Sequence, residues 1–285
     1  MFRISAVVAA VALATVTAAA PAWASTDRVV HFDLSLKQQP ENITLEPNGS
    51  ADLTFSQAGQ VARVTKDGRT TILAQLPGGV AGIVRTPDGT LYVNVNAGDQ
   101  TGIYQLRHGG SRLFAKLPAG FVNGLALDGR TLYATDSSAG QVWRIPLDTA
   151  KPAVWAQGGP LAKVSAFGSN GIKAHDGAVW VSNTDTGNLL RIAIKRNGSA
   201  GPVEIKASGL AGIDDFTFDG PNVLAAINSA SELALIRPNG AHTVVRTAAN
   251  GLSNPTSVAV RGKSVYVASA AYRTQSDPNL LITRF

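Results

Sequence analysis

The chain contains no cysteine. This excludes disulfides, zinc–thiolate sites, iron–sulfur clusters, a cysteine nucleophile and a lipidated N-terminal cysteine. Histidine is scarce, at positions 31, 108, 175 and 242, with no His-x-His or His-Glu-x-x-His spacing, so no histidine-built zinc site is expected. Charged residues are only 15%, too few for a coiled coil or a charged helical bundle, whereas 45% hydrophobic residues are too many for general disorder. There is no Lys/Arg run, so the net charge of +6 reads as a dispersed basic surface and no nucleic-acid partner is expected. Gly-x-Ser-x-Gly and P-loop patterns are missing too. What is present is a chain of 285 residues with 29 Gly and 14 Pro, long enough for one domain with a large core.

The first segment reads as an address. Met1-Phe2-Arg3 is a short positive region, residues 4–20 are apolar and rich in Ala and Val, and Ala22-Trp23-Ala24 has the small-x-small pattern that signal peptidase reads. Pro21 and the polar Ser25-Thr26-Asp27-Arg28 favour removal over anchoring. The expectation is a signal peptide over 1–24, a single domain over 25–285, and a secreted or periplasmic protein without membrane attachment. Cleavage removes Arg3 and leaves a charge of +5 (24 basic, 19 acidic). Asn-x-Ser/Thr sequons occur at Asn42, Asn48 and Asn197.

One unit then recurs six times: an apolar stretch, a Gly-containing turn, and a strand of small, aromatic and β-branched residues. Examples are Thr86-Pro87-Asp88-Gly89-Thr90-Leu91-Tyr92-Val93 and His175-Asp176-Gly177-Ala178-Val179-Trp180-Val181. The turn glycines stand at 49, 89, 129, 177, 220 and 262, with gaps of 40, 40, 48, 43 and 42. Third strands follow over 60–65, 102–106, 141–147, 188–194 and 232–237. Fourth strands follow over 71–76, 112–117, 153–157, 203–206 and 243–246. Four short antiparallel strands per unit at this period predict a six-bladed β-propeller. The last unit has only 279–285 after its second strand, while 29–36 is a spare strand near the other end. That strand is expected to complete the last blade and remove the open sheet edges. Trp143, Trp155 and Trp180 fall on strands and are expected between blades.

In a propeller the first strand of each blade lines the central channel. Its opening residues are Glu41, Ala81, Asn123, Asn170, Asp214 and Thr256. Four of the six carry a carboxylate or amide oxygen. Glu41, Asn123, Asn170 and Asp214 would converge as an all-oxygen set suited to a hard divalent cation, Ca²⁺ first, then Mg²⁺, Mn²⁺ or Zn²⁺. Asn and Asp also open strands for purely local reasons. The second strands return to the same mouth and end near Asn94, Asn96, Asp136, Asn183 and Asn228. These are candidates for a supporting shell or, equally, polar caps of strand ends. Asp215 beside Asp214 and Lys173 on an inner strand are further channel candidates.

With this pattern of openings, and with Asn123-Gly124-Leu125-Ala126-Leu127 followed by Tyr133-Ala134-Thr135-Asp136-Ser137, the chain resembles the senescence-marker-protein/gluconolactonase/luciferin-regenerating-enzyme family over residues 40–285. The resemblance implies a divalent metal at the channel mouth held by Glu41, Asn123, Asn170 and Asp214. It implies lactone hydrolysis, with Asp214 also activating water. Two positions depart from that family's enzymes: Asn42 follows Glu41 where they have Gly, and Phe121 stands where sugar-lactone members carry Arg. The expected function is a metal-dependent hydrolase of the lactonase type, monomeric, with a small-molecule substrate at the channel mouth. The alternative is a non-catalytic propeller that binds a ligand or protein partner and uses any metal structurally.

Overall fold

The computed structural model describes residues 27–107 and 109–284. The expected signal peptide lies outside them. Six four-stranded antiparallel sheets form the six blades, and no helix among the described residues is long and apolar enough to cross a membrane. The inner strands are Pro40–Leu45, Gly79–Arg85, Val122–Asp128, Ser169–His175, Ile213–Asp219 and Pro255–Arg261. The next three strands of blades one to five follow outward in chain order.

The turns explain why the repeats fold this way. Asp176 and Gly177 both take positive φ, at 47° and 65°, between the paired residues His175 and Ala178. Such a two-residue turn matches the twist of the strands it joins, and glycine adopts its second position without steric cost.

Blade six is closed by the other end of the chain. Arg28–His31 pairs with Asn279–Arg284, Val29 opposite Leu281, and forms the outermost strand. The closing strand is shorter than 29–36. The Asp33 carboxylate accepts the Ser35 N–H at 2.7 Å and caps a 3₁₀ turn, Leu34–Leu36, so a local side-chain bond ends the strand although the apolar alternation continues.

Six apolar clusters fill the six interfaces between blades. Ile103 and Leu117 meet Leu125 and Ile145, and Phe55 and Leu53 of blade one meet Tyr266 and Leu280 of blade six. Burying each large side chain contributes roughly 1.5–3 kcal/mol. Trp143, Trp155 and Trp180 belong to these clusters, as expected.

Candidate metal centre at the channel mouth

Every inner strand breaks register with its neighbour at its opening. The shifts fall between Pro40 and Asn42, Val80 and Ile83, Val122 and Leu125, Ser169 and Ile172, Ile213 and Phe216, and Pro255 and Ser257. A bulge re-aims the side chain it carries, and the residues inside these bulges include Glu41, Ala81, Asn123, Asn170, Asp214 and Thr256. The glycine that follows in blades two to four lets inner strands approach. A Cβ on Gly124 would stand 2.5 Å from the Asn170 carbonyl oxygen.

The bulge carbonyls are held by the second strand of the preceding blade. Thr54 Oγ1 donates to Ala81 O at 2.7 Å, and Asn94 Nδ2 donates to Asn123 O at 2.8 Å. Thr135 Oγ1 donates to Asn170 O, and Ser182 Oγ donates to Asp214 O. Ser182 is fully buried. Ser182→Ala is expected to cost about 1–3 kcal/mol, because it strips a buried carbonyl of its donor. Urea unfolding of the variant beside wild type checks this.

Glu41, Asn123, Asn170 and Asp214 line one cavity of about 420 Å³ at the channel mouth, together with Asn228, Thr184, Phe121, Phe167, Tyr272 and Arg273. Glu41 and Asp214 are each 9% exposed. Burial pushes the Glu41 carboxyl up to about 7, against a hydrogen bond from Tyr272 Oη to Oε2 at 2.6 Å. Burial also lifts Asp214 well above the carboxylate range, and the Glu41 charge adds to it; hydrogen bonds from Asn170 and Asn228 pull the other way. Among the described residues no ion pair reaches either carboxylate. Lys173 is committed to Asp215, 2.6 Å from each oxygen, and Asn42 and Ser257 complete that buried cluster at 3.1 and 2.9 Å. The Tyr272 phenol is raised well above its ordinary range by burial and by the Glu41 charge, so it stays a donor.

The amides are turned one way. Asn170 Nδ2 donates to Thr184 Oγ1 at 2.9 Å and to Asp214 Oδ1 at 3.0 Å, and Asn123 Nδ2 donates to Ser137 Oγ at 3.2 Å. Asn170 thus gives one N–H to the wall and one to Asp214, and Asn123 gives one to the wall, which leaves the amide oxygens as acceptors. Two buried carboxylates without a cation beside two free amide oxygens form a donor set that fits Ca²⁺ or another hard divalent ion.

The second-strand residues divide. Asn228 lines the cavity. Asn94 ties blade two to blade three, and Asn96 does the same through Val122. Asp136 accepts the N–H groups of Ser138 and Ala139, capping its own turn. Asn183 donates to Pro160 O and Ala162 O. His175 stacks on Phe218 with centroids 3.8 Å apart and does not line the cavity.

Tyr272, Arg273 and Phe167 join the site from loops without a repeat counterpart. The first two come from 270–278, where blade six lacks the short hairpin of the other blades. The Asn254 side chain fixes that loop by accepting the N–H groups of Arg273 and Thr274 at 2.8 and 2.9 Å. The only sequence signal was the length of that connection.

Fold and mouth together define a six-bladed propeller with an oxygen-rich cavity at the mouth of its channel. Residues 47–225 match the model of a family described as a repeat of unknown function, DUF6923, and the chain belongs to that family. No curated protein matches the chain. Among solved structures, it is similar to regucalcin from Agrobacterium tumefaciens, a calcium-binding protein: TM-score 0.69, 16% identity, 87% of this chain and 91% of that one. It is similar to a protein provisionally assigned as a gluconolactonase, with TM-score 0.71, 12% identity and 92% of each chain covered. It is also similar to virginiamycin B lyase from Staphylococcus aureus, with TM-score 0.63, 13% identity, and 92% of this chain and 99% of that one covered. At these identities the likeness is one of fold: a gluconolactonase-like and regucalcin-like propeller.

Proposed function

We propose that this chain is an exported, monomeric hydrolase of lactones or related esters that depends on a divalent cation, Ca²⁺ first. The observation that carries the reading is the mouth cavity's pairing of two buried carboxyl groups, neither ion-paired to a side chain among the described residues, with two amide oxygens. The calcium-binding description of regucalcin and the gluconolactonase assignment of a second neighbour support it. Glu41, Asn123, Asn170 and Asp214 would hold the cation, which when bound would supply Lewis-acid polarisation of a carbonyl oxygen and stabilisation of the negative charge developing there.

The chain's own groups do the rest. Asp214, oriented by Asn170 and Asn228, takes a proton from the attacking water as the C–O bond to the carbonyl carbon forms. The same carboxyl then returns that proton to the departing alkoxide, so the product is a hydroxy acid. Tyr272 holds Glu41 in place by donating to it, and Thr184 holds Asn170. Burial of this set keeps bulk water from competing for the acceptors.

The lyase neighbours suggest a second reading, but the mouth offers it little. The H270A form of the Staphylococcus aureus lyase is catalytically inactive, and no histidine lines this cavity among the described residues. Asp214→Asn is expected to lower kcat on a hydrolysed lactone by about 10²–10⁴-fold while the far-ultraviolet circular dichroism stays that of wild type. Unchanged turnover would refute the assignment of Asp214. Absence of turnover by wild type across a lactone and ester screen would favour the non-catalytic propeller.

A further inference from the structure

We propose that the substrate of this site carries an alkyl or aryl substituent, seated on a wall formed by Phe121 and Phe167. The inference rests on the hydrolase reading above. The two rings meet edge to face, with centroids 5.4 Å apart, on the blade-three and blade-four side of the cavity. Tyr272 comes from blade six, which lies across the axis from blade three in a six-membered ring. The cavity therefore has Glu41, Asp214 and Tyr272 on its blade-one, blade-five and blade-six side, and across from them two aromatic rings beside the amides of Asn123 and Asn170.

Of the other exposed large apolar residues, Ile72, Leu113, Val154, Ile205 and Val244 sit on the outermost strands of blades one to five, Leu36 lies in the 3₁₀ turn after the closing strand, and Val164 shares the loop of Phe167; none of them lines the mouth cavity. Phe167, 40% exposed, instead flanks the cavity. Its loop is clamped. The Asp185 carboxylate accepts the N–H groups of Val164, Ser165, Ala166 and Phe167 at 2.7–3.2 Å and the Ser165 hydroxyl at 2.9 Å. A carboxylate bound by five donors fixes the ring beside the mouth before any ligand arrives, which lowers the ordering cost of binding. A polyhydroxylated sugar acid would set hydroxyls against two rings that offer them no hydrogen bond. An alkyl or aryl group gains contact there. Asp185 is thus a positioning residue for specificity.

The test uses the Ca²⁺-loaded protein and two lactones of equal ring size, δ-decalactone and glucono-δ-lactone. Wild type is expected to favour δ-decalactone in kcat/KM by about tenfold or more. The Phe121→Ala, Phe167→Ala double variant should lose that preference, mainly through KM. Asp185→Ala should lose part of it, and Asp185→Asn, which keeps one acceptor oxygen, should restore some. Preference for glucono-δ-lactone, or an unchanged ratio in the double variant, overturns the proposal. Calorimetric binding of δ-decalactone separates this failure from that of the hydrolase reading. Without turnover of either lactone, binding by wild type that the double variant loses upholds the wall and sinks only the hydrolase. Binding that is absent, or unchanged by the double variant, overturns the wall itself.

Discussion

In cation-free buffer the folded protein is expected to lose on the order of 3 kcal/mol of stability as pH rises from about 4.5 through about 7. The cause is Glu41. Its carboxyl is buried and lifted from an ordinary 4.5 to about 7, so the folded state holds a proton there that the unfolded chain releases. A group whose folded pKa is raised contributes stability that is complete below the unfolded value and is lost as pH climbs through the folded one. Asp214, lifted in the same direction, steepens the slope. Asp52, which burial raises to about 6, adds a slope of its own, so the comparison with Glu41→Gln isolates the mouth. Urea unfolding across this pH range should show wild type falling and Glu41→Gln much flatter, with millimolar Ca²⁺ restoring wild type only. Identical slopes in the two proteins would contradict the burial-lifted Glu41 carboxyl at the mouth.

Gly124→Ala is expected to be strongly destabilising, as a methyl at Gly82 or Gly171, equally close to the next inner strand, would be. The added Cβ would stand 2.5 Å from the Asn170 carbonyl oxygen and 3.0 Å from the Ile172 backbone nitrogen and side chain. Backbone cannot swing aside as a flexible side chain does, so blades three and four must separate at the bulge. The expected loss is about 3 kcal/mol. Because Asn123 and Asn170 flank the clash, cation binding should weaken with it. Chemical denaturation and a Ca²⁺ titration of the variant check both effects. A variant as stable as wild type would mean that the inner strands are not held as closely as these contacts require.

The propeller was legible because its signals repeat. Each blade restates a glycine at its turn and an apolar alternation in its strands, so a misjudged strand end in one copy is corrected by the others. Ring closure was legible for the same reason, since the last copy was one strand short. The closing strand's length was not, because the Asp33 bond to Ser35 is a single local event without a second copy. Glu41, Asn123, Asn170 and Asp214 were legible as a set because the bulge that aims them sits at one register in every blade. Asn94 and Asn183 stand at the expected strand ends, yet a strand end also faces the carbonyls of the neighbouring bulge or loop, and an amide NH₂ satisfies them. Tyr272 and Phe167 come from loops whose course is set by Asn254 and Asp185, partners far enough away in sequence that no periodicity announces them.

The central claim, a divalent cation held by Glu41, Asn123, Asn170 and Asp214, is tested most directly by calorimetric titration of the protein with Ca²⁺. The Glu41→Ala, Asp214→Ala double variant should be titrated beside it, in two buffers of different ionisation enthalpy. The expected result is one saturable site in wild type, proton release near neutral pH as the lifted carboxyls ionise, and loss of that site in the variant. Absence of saturable binding by wild type to Ca²⁺, Mg²⁺, Mn²⁺ and Zn²⁺, or equal Ca²⁺ binding by the double variant, would contradict it.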